Sequence, residues 1–189
     1  IAALDGQEVL LCEASQQVGG TTATSAGTIW IPASSQSREA GFEDSLDEAM
    51  RYLDGLIPTL EGRELRHVYL HEGPAIIDEI QRCSHVKFSP SGLHPDYQDL
   101  PGSRVAGRAL APLPFDGRKL GVDFHRIRPP LPEFMVLGGM MIGKADIDHL
   151  LNRFKSWVSF KHCTALVLRY LLDRLRHARG TRLVMGNAL

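Results

Sequence analysis

Apolar positions in the first 32 residues predict two short extended segments separated by a polar loop. Val9–Cys12 is an apolar run of the kind found in buried strands of parallel sheets. Residues 13–27 are rich in glycine and hydroxyl side chains. Residues 28–32 are apolar and β-branched up to Pro32, so they predict a second extended segment. Ahead of the first strand, Ile1–Gly6 is similar to the last turn of a helix that a glycine ends.

Helical periodicity predicts helices over residues 42–83. A capping-box sequence begins at Ser45, and apolar residues recur every three or four positions up to Gly55, which predicts one amphipathic surface helix. These apolar residues are Phe42, Leu46, Met50 and Leu53. A second helical pattern is interrupted at Gly73 and Pro74, and Pro74 suits the first position of a helix. Two helices that meet at an angle are therefore predicted after Gly55.

The chain from residue 89 to residue 132 is rich in proline and glycine and has little periodicity. Connections of this length more often belong to functional loops, so we expect a long loop near the substrate side. Helical spacing returns over residues 145–179, where an apolar stripe stands opposite charged residues, and Gly180 ends it. The stripe consists of Ala165, Leu168, Leu171, Leu172 and Leu175. Residues 181–189 predict the start of a returning strand.

Composition and charge narrow the functional classes. The 189 residues are 43% hydrophobic and 23% charged, which predicts a soluble globular protein, and a formal net charge of -1 with scattered basic residues argues against nucleic-acid binding. The longest apolar runs, such as Phe134–Ile142, fall far short of the ~20 residues that span a bilayer. Cys12, Cys83 and Cys163 lack metal-ligand spacing, so no metal site is predicted. Without a signal peptide, a cytoplasmic location is expected, with peripheral membrane contact left open.

The loop after the first predicted strand carries the most informative chemistry. Glu13 stands at the carboxyl end of that strand, where an acidic side chain accepts hydrogen bonds from both hydroxyls of an adenosine ribose. Gly19 and Gly20 let backbone amides approach a phosphate closely, and Thr21 and Thr22 offer hydroxyl donors. A Gly-Gly pair alone is more often an ordinary tight turn. After a strand that ends in an acidic residue, it predicts the ribose and phosphate side of a dinucleotide site.

The segment Glu13–Gly27, continued by Trp30-Ile31-Pro32, closely resembles the flavin-dependent fumarate reductase and 3-ketosteroid dehydrogenase superfamily, whose members share an acidic strand end and a Gly-Gly-Thr-Thr-Ala-x-Ser-x-Gly loop. Later segments are most similar to the 3-ketosteroid Δ1-dehydrogenase branch, namely Asp96-Tyr97, Gly107-Arg108 and Pro114-Phe115-Asp116. The resemblance implies bound FAD with Glu13 on the adenosine ribose. It places Gly19, Gly20, Thr21 and Thr22 near the pyrophosphate, and Ser25, Ala26 and Gly27 nearer the ribityl chain and the isoalloxazine.

The resemblance also implies an activity. Enzymes of this branch remove a proton and a hydride from adjacent carbons of a 3-ketosteroid A ring, and the hydride passes to the flavin N5. Tyr97 matches a tyrosine of the flavin domain that supports the family's tyrosine base, which itself lies in a separate catalytic domain. The implied partners are an apolar, steroid-like substrate and an electron acceptor. The alternative for Tyr97 is a half-exposed loop aromatic.

Two alternative functions are left open. A fumarate reductase type needs arginines that clamp a dicarboxylate, and a non-catalytic remnant needs no site at all. The long loop contains Arg104, Arg108, Arg118, Arg126 and Arg128. Because leucine, proline and phenylalanine residues lie between these arginines, an apolar substrate is favoured. For Arg108 an ion pair that fixes its loop is favoured over a substrate contact, and for Trp30 core packing is favoured over a place beside the flavin.

The predicted fold class is α/β, a Rossmann-like FAD-binding domain with a parallel sheet and helices that is incomplete at its N- and C-terminal ends. A Gly-x-Gly-x-x-Gly loop that would bind the pyrophosphate is missing from the sequence, and the chain begins with Ile1 rather than Met. We therefore expect a fragment that lacks the glycine-rich loop and the separate catalytic domain and is inactive by itself.

Overall fold

The computed structural model describes residues 2–25, 27–129 and 131–176. The chain divides into two compact units. Unit 1 comprises Ile1–Leu10 and Thr28–Leu113, and unit 2 comprises Leu11–Gly27 and Pro114–Leu189. Each unit contains a small hydrophobic core of its own.

Unit 1 combines an antiparallel sheet with helices. The strands are β1 (Ile29–Trp30), β2 (Phe88–Pro90) and β3 (Ala109–Pro112), in the order β1-β3-β2. The helices are α1 (Ser35–Glu39), α2 (Leu46–Leu56) and α3 (Arg63–Cys83). Leu110 on the central strand packs with Ile31 and Ile77 to form the core of the unit.

The extended segment predicted over residues 28–32 is confirmed by β1. The glycine-ended turn predicted ahead of Val9 is also confirmed, within residues 2–7. Its hydrogen bonds run from Gly6 N to Ala3 O at 3.2 Å and from Gln7 N to Ala2 O at 2.9 Å. This pair of bonds is the Schellman pattern that ends many helices.

Helix α2 begins where the capping-box sequence predicts. The Ser45 hydroxyl accepts a hydrogen bond from Glu48 N at 3.2 Å, which satisfies one of the amide donors that lack a partner in the first turn. The helix continues to Leu56, one residue beyond the predicted stop at Gly55. The local sequence is therefore sufficient to set the start of this helix.

The prediction of two helices around Gly73 and Pro74 is wrong, because α3 runs through both residues without interruption. Pro74 has no N–H to donate to the carbonyl of Leu70, which is a cost inside a helix. Leu70 and Ile77 are both buried, one on each side of the proline. The burial of apolar side chains on both halves of α3 within unit 1 outweighs the cost of the proline.

The long segment from residue 89 to residue 132 is more ordered than predicted. It contains the end of β2, all of β3 and a run of 3-10 turns over Gly117–Arg126 that is broken at Gly121. Strand β3 is only four residues long, too short to show a periodic pattern. Its position is set by the burial of Leu110, which a sequence pattern does not reveal.

Val9–Cys12 does not form the predicted strand. These residues pair with no strand within the described part of the chain, and Leu10 exposes 87% of its surface. The sheets in the described ranges are antiparallel, and the one parallel pairing there is an isolated bridge between Val18 and Ile127. The parallel sheet of the predicted fold class is therefore not observed in these ranges.

Unit 2 contains short 3-10 turns, a small hairpin and two helices in its described part. The 3-10 turns other than Gly117–Arg126 cover Thr22–Thr24 and Pro132–Phe134. The hairpin pairs β4 (Met135–Val136) with β5 (Met140–Met141), and the helices are α4 (Lys144–Leu151) and α5 (Trp157–Arg176). The core consists of Met140, Leu166 and Tyr170. Helices are thus confirmed within residues 145–176, whereas Gly180 and the strand over 181–189 lie outside the described residues.

The apolar stripe predicted for α5 is not the face that is buried. Leu168, Leu171, Leu172 and Leu175 are exposed, whereas Cys163, Leu166, Tyr170 and Asp173 are buried. The Tyr170 hydroxyl donates to the carbonyl of Leu137 at 3.1 Å, so contacts with the hairpin decide which face turns inward. No helix in the described ranges has both the length and the apolar character needed to cross a bilayer.

Candidate functional site

A glycine bend in unit 2 forms the centre of the candidate site. Ala23 is buried, and its N–H donates to the carbonyl of Gly19 at 3.0 Å, which closes one helical turn. Gly19 has a φ of +126°, and a Cβ on it would lie 2.8 Å from the Cβ of Ala23. Gly20 has a φ of +48°, and a Cβ there would meet nothing within 4 Å. The fold therefore requires glycine at Gly19, whereas Gly20 presents an open backbone surface.

The hydroxyl residues of the loop have two different roles. The Ser25 hydroxyl donates to the carbonyl of Thr22 at 3.1 Å and accepts from Gly27 N at 3.1 Å, so it holds the end of the bend together. Thr21 and Thr22 are exposed. Their hydroxyls are thus accessible to a ligand. Ala26, which the resemblance also places at the cofactor, lies outside the described residues.

Glu13 is an exposed carboxylate at the start of the same segment. Its Oε1 accepts a hydrogen bond from Ser15 N at 2.8 Å. This bond is the main reason that the pKa of Glu13 is lowered from its ordinary value, and the positive charge of Arg128 lowers the pKa further. The side chain is therefore a solvent-accessible anion at neutral pH, as an acceptor for ribose hydroxyls needs to be.

A second segment of unit 2 runs beside the bend. Val18 N donates to Arg126 O and Arg128 N donates to Val18 O, both at 2.8 Å. The Gln17 side chain adds bonds to the carbonyls of His125 at 3.0 Å and Ile127 at 3.3 Å. Sequence analysis missed this pairing, because the two segments lie 108 to 110 positions apart.

Arg128 connects the predicted ribose side and phosphate side of the loop. Its Nη1 donates to the carbonyl of Gly20 at 3.4 Å, and its charge acts on Glu13. The cation that bonds the glycine bend thus also contributes to lowering the pKa of the Glu13 carboxyl. An exposed carboxylate, an open glycine backbone, free-standing hydroxyls and a cation together suit the sugar and phosphates of a nucleotide.

Unit 1 contains a buried cation between two carboxylates. Arg108 exposes only 1% of its surface, and its guanidinium binds both oxygens of Asp44 at 2.8 and 2.9 Å. Its third donor binds Asp96 Oδ2 at 2.8 Å. The predicted ion-pair role of Arg108 is therefore confirmed. No local pattern singles out Asp44, which lies 64 positions away from Arg108.

Asp96 ties this buried pair to the segment that carries Tyr97. Its carboxylate accepts from Trp30 Nε1 at 2.7 Å and from Arg104 N at 2.9 Å. Trp30 also packs against the ring of Tyr52, with centroids 6.1 Å apart, which confirms the favoured packing role for this tryptophan. These bonds hold Asp96, and therefore the backbone next to Tyr97, in a fixed position.

Tyr97 itself is almost fully exposed, with 96% of its surface accessible. It belongs to unit 1, whereas Glu13 and the glycine bend belong to unit 2. Its ring is more exposed than the half-exposed loop aromatic of the alternative prediction. Its hydroxyl is free of hydrogen bonds to the described residues, so it is accessible to a partner or substrate.

Within the residues that the structure describes, no group of three or more His, Cys, Asp or Glu side chains is arranged to hold a metal ion. The three cysteines are free thiols. Cys12 is exposed and Cys163 is buried.

Comparison with known proteins agrees with this chemistry. A family described as FAD binding domain matches residues 1–189. A 4-oxocyclohex-2-ene-1-carboxylate 5-dehydrogenase from Sinomonas cyclohexanicum is 34% identical over 189 residues, which is all of this chain and 32% of that protein. A 3-oxosteroid 1-dehydrogenase from Mycolicibacterium smegmatis is 34% identical over 130 residues, 68% of this chain and 23% of that protein.

A solved structure is similar over almost the whole chain. It is the 3-ketosteroid delta1-dehydrogenase from Sterolibacterium denitrificans in complex with 1,4-androstadiene-3,17-dione, with a TM-score of 0.83 and 30% identity. The similarity covers 99% of this chain and 33% of that one. The chain thus spans about a third of the length of these relatives. Both the resemblance noted in the sequence and FAD as the cofactor are confirmed, and the chain belongs to the FAD binding domain family.

Proposed function

We propose that the protein is an FAD-dependent dehydrogenase of the 3-ketosteroid Δ1 type, which removes a proton and a hydride from adjacent ring carbons next to a ketone. The observation that carries this proposal is the open glycine bend that follows the ionised Glu13 in the same unit, in a chain whose relatives are dehydrogenases of cyclic ketones. The fumarate reductase alternative needs several free arginines to clamp a dicarboxylate, and four of the five arginines of the long loop already pair with carboxylates of this chain, namely Arg104, Arg108, Arg118 and Arg126. The non-catalytic alternative leaves the open bend unexplained.

The cofactor residues divide by chemistry. Glu13 accepts the ribose hydroxyls, and the amides and hydroxyls of residues 19–22 face the pyrophosphate. Ser25, Ala26 and Gly27 lie nearer the ribityl chain and the isoalloxazine. When bound, FAD supplies the hydride acceptor, while the protein binds and orients it. The open Cβ position of Gly20 and the exposed side chains of Thr21 and Thr22 support this division, because each leaves space for a ligand.

Finer features of the fold, partners and location belong to the same proposal. A Rossmann-like arrangement is supported by the match of the whole chain to the FAD binding domain family. An apolar, steroid-like substrate and a separate electron acceptor follow from the proposed reaction. The three free thiols support a reducing, cytoplasmic location.

Turnover by the full-length gene product tests the reaction. With an artificial electron acceptor, we expect a 3-ketosteroid to be oxidised. With an artificial electron donor in its place, we expect fumarate to be neither reduced nor bound. A 4-oxocyclohexanecarboxylate should be tried in parallel, because one relative is named for a substrate of that type. If only the cyclohexanone carboxylate is turned over, the proposed reaction stands and the proposed steroid substrate is wrong. Reduction of fumarate without steroid turnover would contradict the proposal.

Tyr97→Phe is expected to slow steroid dehydrogenation about 10- to 100-fold in the full-length protein, since support of a general base contributes on this order. The bound-flavin spectrum should not change, because the hydroxyl has no hydrogen-bond partner among the described residues. Tyr69→Phe is the matched control: its hydroxyl donates to the carbonyl of Trp30, so that variant should lose stability and keep its turnover. Unchanged turnover in Tyr97→Phe would remove Tyr97 from the mechanism.

Glu13→Gln is expected to weaken FAD binding about tenfold, because a carboxylate is the stronger acceptor for two hydroxyls. Since the folded-state pKa of Glu13 is lowered, wild-type affinity should hold from neutral pH down to about 4.5 and fall below it, as the carboxylate becomes protonated. Flavin fluorescence titrations from pH 8 down to about pH 3, well below the ordinary pKa of a glutamate, measure both effects. In Glu13→Gln the loss of FAD affinity at low pH should be absent. An equal loss in both proteins would show that another group titrates.

A further inference from the structure

Arg128 is held against the glycine bend by the backbone. Its N–H donates to Val18 O, and the carbonyl of Arg126, two residues earlier, accepts from Val18 N. These two bonds fix the start of the Arg128 side chain beside the bend. A Cβ on Gly19 would lie 3.6 Å from the Cβ of Arg128, which shows how closely the two segments pass.

Arg128 differs from the arginines near it in sequence in how its charge is paired. Arg126 pairs with Asp123 at 3.1 Å, and Arg118 pairs with Asp116 at 2.6 Å. Arg128 has no such ion pair with the carboxylates of the described ranges. Its guanidinium instead donates one bond, at 3.4 Å, to the carbonyl of Gly20. Four of the five donors of this side chain thus bind no acceptor among the residues that the structure describes.

A cation next to the bend offsets the repulsion between two negative groups, the Glu13 carboxylate and the phosphates of a ligand. Glu13 is negative, and a ligand with a ribose on Glu13 brings its phosphates toward the adjacent bend. The phosphates and the carboxylate repel each other, and neutral amides and hydroxyls offset this only in part. A guanidinium binds phosphate oxygens with two parallel hydrogen bonds, which a point charge does not.

We propose that Arg128 binds the pyrophosphate of FAD, as a cofactor-binding residue outside the loop motif. The inference rests on the proposed function, because its ligand is the cofactor proposed there. Nothing lies within 4 Å of the Cβ position of Gly20, so a phosphate has space on the bend beside the guanidinium that bonds the Gly20 carbonyl. Arg128 therefore acts on both ends of the nucleotide half of the cofactor, through Glu13 and through the phosphates.

Equilibrium binding by the full-length apoprotein tests this role. Arg128→Gln keeps a donor for the Gly20 carbonyl and removes the charge, so it should weaken FAD and ADP binding about tenfold and leave riboflavin binding unchanged. Arg128→Lys should recover part of the loss. Added salt should weaken FAD binding more in the wild type than in Arg128→Gln, because screening acts on the charge.

Arg126→Gln is the matched control, since it removes the same charge from the same segment but from a side chain already paired with Asp123. We expect its FAD affinity to stay within about twofold of the wild type. Equal FAD affinity in wild type and Arg128→Gln would overturn the inference alone. An equal loss for riboflavin would also overturn it and assign Arg128 to loop structure. A wild-type protein that binds no FAD would overturn the proposed function as well.

Discussion

Replacement of Arg108 by methionine is expected to lower the free energy of unfolding by about 3–5 kcal/mol, because Asp44 and Asp96 would remain buried without their cation. Both carboxylates have side chains that are only 2% exposed, so water cannot replace the guanidinium. Urea denaturation followed by circular dichroism measures the change. The same variant should also release the Tyr97 segment, since Asp96 loses one of its bonds.

Arg63→Met is the matched control for this prediction. Arg63 also binds both oxygens of an aspartate, Asp54, in the same unit, but their side chains are 48% and 37% exposed. Its removal should change the denaturation midpoint far less, because solvent screens the pair. If Arg108→Met fails to fold, adding Asp44→Asn should restore part of the stability. Equal small losses in the two methionine variants would contradict a dominant role for the buried cluster.

Substitution of Gly19 by alanine is expected to weaken FAD binding about 100-fold, because a strained backbone of this kind costs up to about 3 kcal/mol. The new Cβ would also lie 2.8 Å from the Cβ of the buried Ala23. Relief of either strain moves the amides that approach the pyrophosphate. Flavin fluorescence titration of the full-length apoprotein measures the affinity.

Two other glycines separate the contributions to this effect. Gly41 has a φ of +84° and open space at its Cβ position, so Gly41→Ala carries a backbone cost in unit 1 and should leave FAD affinity unchanged. Gly20→Ala also meets no protein atom within 4 Å. It should therefore keep the stability of the apoprotein and still lose affinity, since only the ligand meets the new methyl group. Wild-type affinity in Gly19→Ala would show that the bend is not the phosphate site.

The cofactor loop and α2 illustrate what local sequence can determine. The left-handed backbone at Gly19 and Gly20 and the cap of α2 by Ser45 depend on residues within a few positions of each other. The residue types therefore carry the information directly, and the FAD family could be identified from them. The favoured ion pair of Arg108 was predictable as a type of interaction, but its partners were not.

Distant contacts decided the remaining features of the fold and site. Helix α3 continues through Pro74 because buried side chains lie on both sides of it, and α5 turns inward the face that reaches the hairpin. Val9–Cys12 has the composition of a strand and lacks a paired neighbour in the described residues. A strand requires a partner, and composition does not supply one.

The sequence by itself determined the cofactor, the glycine bend and the capped helix, because each is encoded by neighbouring residues whose conformations are limited by their own chemistry. Only the tertiary structure decided that Arg108 is buried between two carboxylates and that Arg128 faces the bend. Their partners lie 64 and 108 positions away. The physical reason is that burial and charge pairing are properties of three-dimensional neighbours, which no local pattern specifies.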